Sequence, residues 1–516
     1  MCAYVRTVKT ASGATAVQVV CSSRRGSRDI GHIGSAHDDA ELELLKAAAR
    51  QRLAAGQGEL DLGLEVTGPG MRGAGGGPLP ITSSRAGHLL DALEHAYRVL
   101  GFEDAAGGDE VFRLLVTARI IEPVSKPGSL RVLEEAGITP PSYATLSRRL
   151  RVCAKEPWRR KLSAACAAHA RPGRASLVLY DVSTLYFETD AGDGFREPGF
   201  SRERRLEPQI TIGLLTDQAG FPLMVSAFEG NKAETKTMLP VIEAFMAARD
   251  LPDVTVVADA GMVSDANRKE IEDAGLSFIL GARIPFVPYA VAQWRREHPG
   301  QDIPDGHIFT QPRPATREGR RDQVIYYQYK ADRARRTLRG IDEQTARAEQ
   351  AVAGKTPVRR NRFIQLSGGT KTVNRDLEAK ARELAGIKGY ITNLAACPDG
   401  TPVTAGFVIS AYHQLFETER SFRMSKNDLQ ARPIYHRKRD PIEAHLTIVL
   451  AALAVSRWIE DQTGWPVRKF VRTARRYRTI EIQAGPHVIT AAHPLPDDLR
   501  QVLEAIASGS RNRSES

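Results

Sequence analysis

The sequence predicts a mixed α/β protein with a mainly helical region ahead of its core, and three observations carry that prediction. Between residues 176 and 284, short apolar runs and amphipathic segments follow one another in the order β-β-β-α-β-α-β. Ahead of them, LLDALEHAYRVLGF and EVFRLLVTARIIEP repeat apolar residues at helical spacing and stop at Gly101 and Pro123. Beyond Ile284 the pattern breaks, until IKGYITNLA at 387–395 returns as a strand.

The elements follow in chain order. Residues 1–67 form a β/α unit: ATAVQVVCSS alternates like a strand, and DDAELELLKAAARQRL is a helix with an acidic first turn. Residues 68–82 contain GPGMRGAGGGPLP, a Gly-rich linker. Residues 83–172 are helical. Within them, SKPGSLRVLEEAGITPPSYATLSRRLRV (125–152) gives two short helices around Gly137. The second starts near Ser142 and carries Arg148, Arg149 and Arg151, so the pair reads either as a helix-turn-helix or as a plain helical hairpin. Residues 173–284 hold the strands SLVLYDVS, QITIGLLTD and FPLMVSAFEG (the last two split by a turn at Gly220), the helix ETKTMLPVIEAFMAARD, the strand DVTVVADAG, a helix from Ser264 and the strand SFILGARI. Residues 285–385 are an insertion, 386–480 resume the core, and 481–516 are a tail.

Composition narrows the class. A chain of 516 residues divides into two to four domains, and 42% apolar residues are enough for a large interior. No apolar run reaches eighteen residues, so no membrane span is expected. The start, MCAYVRTVKTASG, lacks the features of a secretory signal. Cys2, Cys21, Cys153, Cys166 and Cys397 form no CxxC pair, which suits a reducing cytoplasm and gives a zinc site no support. The net charge is +11, unevenly placed: from Arg313 to Arg362 there are 14 Lys+Arg against 6 Asp+Glu. A second basic stretch, VRKFVRTARRYR, spans 467–478. Basic surfaces of this kind suit a polyanion, nucleic acid first, or are simply solvated faces.

Two strands end in an acid, LVLYD at Asp181 and VTVVAD at Asp259. The C-terminal ends of strands are where α/β sheets bind ligands, although Asp is also a common turn former there. On neighbouring strands the two carboxylates would converge and call for a cation, and Mg²⁺ suits so few protein oxygens. A third acid comes from YHQLFETERSFRMSK, 412–426, read as one helix. At about 100° per residue, Tyr412, Glu419 and Lys426 share a stripe with Arg423, while Glu417 lies about 160° from Glu419 as its exposed neighbour. Spacing leaves two readings of Glu419: a working carboxylate, or half of an i,i+4 ion pair with Arg423 worth about 0.2–0.5 kcal/mol.

Together these segments resemble the DDE transposases of bacterial insertion sequences, in the group with the C-terminal signature Tyr-x2-Arg-x3-Glu-x6-Lys. The signature falls on Tyr412, Leu415, Glu419 and Lys426, so a leucine stands where the arginine is usual and no role of that arginine carries over. YDVSTLYFET around Asp181, VVADAGMVS around Asp259, GNKAETKTMLP (230–240) and KNDLQARPIYHRKRDPIEAHL (426–446) are similar to further family segments. The resemblance implies an RNase H-like core with Asp181 on the first strand, Asp259 after the fourth and Glu419 on a later helix, the insertion lying between the last two. It implies that Asp181, Asp259 and Glu419 are catalytic and hold two Mg²⁺ ions, with Mn²⁺ as a substitute, and that Tyr412, Arg423 and Lys426 contact DNA. The implied partners are double-stranded DNA, both as terminal inverted repeats and as target, and a second copy of the chain in a paired-end complex, with no membrane. The expected activity is cleavage at the element's ends and their joining to target DNA. A related nuclease without strand transfer, or an inactive transposase-derived DNA-binding protein, are the alternatives.

Overall fold

A computed structural model of the chain describes residues 2–10, 14–22, 28–38, 41–42, 45–46, 48–49, 81–170, 177–189, 191–199, 207–233, 236–249, 254–261, 265–315, 320–357, 361–367, 370–431, 436, 438–484 and 487–509. Most of the N-terminal helix and all but the last two residues of the 68–82 linker lie outside the described residues. The chain divides into two units. One comprises Met1–Val99, Asp109–Arg149 and Val455–Ser516, the other Leu100–Gly108 and Leu150–Ala454.

The second unit is built on an eight-stranded sheet. Its strands are β1 (Leu177–Tyr186), β2 (Gln209–Thr216), β3 (Pro222–Glu229), β4 (Thr255–Ala258), β5 (Ser277–Ala282), β6 (Ile308–Arg313), β7 (Gln323–Tyr329) and β8 (Ile387–Thr392). They lie in the order β6-β7-β8-β5-β4-β1-β2-β3. β1, β2 and β3 form an antiparallel meander, and β4 and β5 run parallel to β1. β8 then pairs antiparallel with β5, and β7 and β6 continue outward. The 3-2-1-4-5 order of the first five strands, three antiparallel followed by two parallel, is that of an RNase H-like core.

Burial explains the sequence of these strands. Every residue of β2 (QITIGLLT) is buried, as a central strand covered on both faces requires. On one face Leu177, Leu179, Val257 and Ile279 pack with Val408, Ile409, Ala411 and Leu415, so the helices that follow β8 cover that side of the sheet. The insertion is partly sheet: β6 and β7 extend the core through β8 rather than standing apart. Its other elements are the Ala331–Val352 helix, the Ile364–Ser367/Thr370–Val373 hairpin and the Arg375–Glu383 helix, packed around Ile341, Ala348 and Phe363. On the long helix Ala334, Ile341 and Ala348 are buried while Arg335, Arg336 and Arg339 face solvent.

Two expectations about local structure are corrected. β1 does not end at Asp181; the β-branched and aromatic residues of VSTLY carry it to Tyr186, so Asp181 sits in mid-strand opposite Leu214. The 412–426 stretch is not one continuous helix. It comprises the end of the Ala405–His413 helix, a Leu415–Arg423 helix and a π-helical turn over Met424–Asp428. At the first joint the Gln414 N–H points to both Ser410 and Ala411 carbonyls, each at 3.2 Å, a local tightening of the turn.

In the first unit, Cys2–Lys9, Thr15–Ser22 and Arg28–Ala36 form one antiparallel sheet. Ile81–Arg85, Thr479–Ala484 and His487–Ala492 form another. The second sheet and the Asp497–Ser508 helix occupy much of the stretch expected as a tail. The helices Gly87–Val99 and Glu110–Ile121 are in place, the latter capped by Asp109, whose carboxylate accepts from the Phe112 N–H at 3.0 Å. Lys126–Glu135 and Tyr143–Cys153 flank Gly137 as expected, with Arg148, Arg149 and Arg151 exposed. The 467–478 stretch is less of a basic surface than its composition implies. Arg475 pairs with Glu135 at 2.8 Å and Glu122 at 3.4 Å, and Arg478 donates to the Glu135 carbonyl at 2.8 Å. Among the described helices one, Arg439–Thr463, has the length and apolarity to cross a membrane, and 94% of its apolar window is buried within the protein.

Candidate active site

Strand register brings the two aspartates together. β1 and β4 are parallel neighbours with Leu179 opposite Val257. Asp181 and Asp259 each lie two residues further on, hence on the same face of the sheet as that buried pair. Tyr180, on the other face, is fully buried and donates its hydroxyl to Thr237 Oγ1 at 2.9 Å, which anchors the strand from behind. Asp259 is the first residue beyond β4, and the turn after it is held by Arg283, which donates to the Ala260 carbonyl at 3.1 Å and the Gly261 carbonyl at 3.3 Å.

The third acid arrives on the Leu415–Arg423 helix, and side chains dock that helix to the sheet. The Thr418 and Thr216 hydroxyls are 2.7 Å apart, fully buried, and Ser421 donates to the Gly220 carbonyl at 2.6 Å. Gly220 has φ +78°, and a Cβ there would stand 2.6 Å from the Glu417 carbonyl oxygen, so only glycine lets the β2–β3 turn come this close. With Thr418 and Ser421 turned inward, Glu419 faces outward beside the aspartates. Asp181, Asp259 and Glu419 line one cavity of about 220 Å³ together with Tyr412, Lys388, His413, Leu415 and Phe416.

Within this cavity the Tyr412 hydroxyl donates to Asp259 Oδ1. Gly281 makes room for it: a Cβ there would lie 2.9 Å from the Tyr412 oxygen. Burial alone would push the Asp259 carboxyl up, but the bond from Tyr412, the Ala260 and Gly261 N–H groups and the Lys388 charge hold it below its ordinary value. The same burial and bond push the Tyr412 phenol up. Lys388, on β8, places its Nζ 4.3 Å from the centre of the Tyr412 ring. Burial lowers its pKa, and so does Arg333, against the pull of Asp259 and Glu419. His413 is lowered by burial and by Lys388, Arg333 and Lys330.

The other signature residues are placed differently. Tyr412 and Glu419 meet at the cavity despite the joint between their helices, but Lys426 does not join them. The wider π-turn rotates it off the stripe, and it lines a separate small cavity of about 20 Å³ with Ser183, Leu185, Phe422 and Leu446. Arg423 is exposed and forms no ion pair with Glu419 among the described residues. The ion pair on this helix is Arg420–Glu417 at 3.5 Å, and Glu417 is half-buried rather than an exposed neighbour. Leu415, at the position of the usual arginine, is a buried core residue. The sequence reading missed Lys388, whose one signal is a lone charge in the otherwise apolar or small IKGYIT.

A profile of the transposase DDE domain matches residues 172–455, more than half of the chain. The chain belongs to the DDE transposase family. The matched stretch contains all three cavity acids. No curated protein matches the sequence. Among solved structures, the piggyBac transposase synaptic complex with hairpin DNA, determined by cryo-EM, aligns over 83% of this chain and 73% of its own at 10% identity, with a TM-score of 0.37.

The donor set of the cavity fits a divalent cation. Its acids are hard oxygen ligands, and their mutual repulsion is relieved by positive charge. Among the described residues no three His, Cys, Asp or Glu side chains converge on one ion position. A hydrated Mg²⁺ needs only one or two protein carboxylates, which this cavity supplies.

Proposed function

We propose that this transposase binds the terminal inverted repeats of its own element, cleaves the ends and joins them to target DNA. The observation that supports this reading is the convergence of Asp181, Asp259 and Glu419 on one cavity on one face of an RNase H-like sheet. Asp181, Asp259 and Glu419 would hold two Mg²⁺ ions, or Mn²⁺ in their place. When bound, such ions lower the pKa of a nucleophilic oxygen and stabilise the leaving one. The protein's part is to fix the acids: strand register orients Asp181 and Asp259, the Thr418 and Ser421 hydroxyls orient Glu419, and Tyr412 keeps Asp259 ionised. In-line attack by water and then by a DNA 3′-hydroxyl needs no covalent enzyme intermediate, so no Ser, Cys or Tyr nucleophile is required. Exposed arginines of the Ala331–Val352 helix, and Arg148, Arg149 and Arg151, would neutralise DNA phosphates outside the cavity. Tyr412 would act from inside the cavity, whereas Arg423 and Lys426 would touch only DNA lying beyond it. Two copies of the chain would hold the paired ends.

The test uses linear DNA ending in the sequences that flank this gene, a supercoiled plasmid, Mg²⁺ or Mn²⁺, and wild-type or Glu419→Gln protein. Metal-dependent joining by the wild type alone is the expected result. Cleavage without joining would make the chain a nuclease, and binding without metal-dependent cleavage would make it a DNA-binding protein. Equal activity in Glu419→Gln would remove Glu419 from the site.

A further inference from the structure

Among the described residues Lys388 is the one lysine lining the acid cavity, and the signature assigns it no role. It is half-buried on β8, where Tyr390 shares its face of the strand. The Tyr390 and Tyr412 rings meet edge to face at 5.0 Å, and the ammonium lies 4.3 Å from the centre of the Tyr412 ring and 5.7 Å from that of Tyr390. The hydroxyl of Tyr412 is already committed to Asp259. Among the described residues Lys388 makes no hydrogen bond and no ion pair within 4.0 Å, although Asp259 and Glu419 are near enough to feel its charge. A lysine kept for stability would be expected to close on one of those carboxylates. This one lies against aromatic faces instead, among the residues that line the cavity with the acids, and its ammonium carries three N–H donors.

We infer that Lys388 is a substrate-contacting residue, whose ammonium takes a non-bridging oxygen of a DNA phosphate brought into the acid cavity. The inference rests on the proposed transposase site and adds to it the residue that receives the substrate's negative charge. A phosphodiester entering among three carboxylates meets like charge, and a fixed cation in the same cavity offsets it and favours one orientation. Arg333, which bonds the Gln328 and Gly386 carbonyls at 3.3 Å each, adds a second positive charge close enough to be felt at Lys388.

The experiment compares wild type, Lys388→Met and Lys388→Arg on linear duplex DNA ending in the sequences that flank the gene. Met keeps the packing over the tyrosines, and Arg keeps the charge. Affinity is measured in EDTA across a salt series, and cleavage separately in Mg²⁺ at saturating DNA. Lys388→Met should flatten the slope of log affinity against log salt by about 0.9, the contribution of one duplex phosphate. It should slow cleavage about 10- to 100-fold, and Lys388→Arg should restore the slope and much of the rate. An unchanged slope in a folded Lys388→Met protein overturns the inference and leaves Lys388 a counter-charge to Asp259 and Glu419. So does a Lys388→Arg slope no steeper than that of Lys388→Met, or wild-type binding without salt dependence. Wild-type binding without cleavage would strike the proposed function instead, while the slope comparison would still judge Lys388.

Discussion

The aspartates and the glutamate reach the same cavity by different means. Asp181 and Asp259 stand on adjacent parallel strands whose ladder, Leu179 opposite Val257, fixes their separation through the backbone. Glu419 stands on a short helix between two irregular joints, and buried hydroxyls and one glycine set its place. A ladder of backbone hydrogen bonds tolerates many side-chain changes, whereas a docking made of two side-chain hydrogen bonds does not. The acid that completes the site is therefore the one most easily misplaced by a change elsewhere.

Removing any of the acids should erase this difference. Asp181→Asn, Asp259→Asn and Glu419→Gln should each lower metal-dependent end cleavage at least about 10³-fold, or about 4 kcal/mol of transition-state stabilisation, with circular dichroism unchanged. A variant that retained a tenth of the activity would show that its carboxylate lies outside the chemistry. The comparison sharpens at Gly220, which packs against Glu417 and not against any of the three cavity acids. Gly220→Ala forces a side chain into a left-handed backbone and against the Glu417 carbonyl, at a cost of about 1–3 kcal/mol. Its cleavage rate should fall further than its urea midpoint explains, because the Glu419 helix must shift. Loss of stability with a wild-type rate would mean that the helix holds its place without the turn.

The contrast also marks what was legible in the sequence. The first five strands of the core, their succession along the chain and the two aspartates could be read, because period-two burial and apolar runs are local signals. The full extent of β1 was missed because Asp181 resembles a strand stop, while the pairing with β2 that carries the strand onward is a long-range contact. Glu419 was chosen over Glu417 by helical arithmetic, and the cavity holds Glu419, but the same arithmetic misplaced Lys426 because a π-turn leaves no sequence mark. The basic runs were legible as composition and only in part as surface. Arg335, Arg336 and Arg339 are exposed, as are Arg468, Lys469, Arg472 and Arg476, whereas Arg475 and Arg478 are spent on Glu122 and Glu135. Lys388 was missed because its meaning depends on Tyr412 and Asp259, which are distant in sequence.

Smaller effects separate the two modes of placement most finely. Thr418→Val alone strands the buried Thr216 hydroxyl and should cost about 1–3 kcal/mol by urea unfolding, whereas Thr216→Val combined with Thr418→Val should be nearly neutral. If the double variant is as unstable as the single one, the pair is not what docks the helix. On the aspartate side the matching change is Tyr412→Phe, expected to cost about 1 kcal/mol. Asp259 is held below its ordinary value of 3.8, so its contribution to stability is present above that pH and lost as pH falls through the lower folded value. Without the Tyr412 hydroxyl, burial is opposed only by the Ala260 and Gly261 N–H groups and the Lys388 charge, and that contribution shrinks. Wild type and Tyr412→Phe should therefore differ in urea midpoint at pH 7 and converge as pH falls through the lowered Asp259 value. A gap that stays constant on acidification would show that Tyr412 supports the site by packing, with its bond to Asp259 adding nothing.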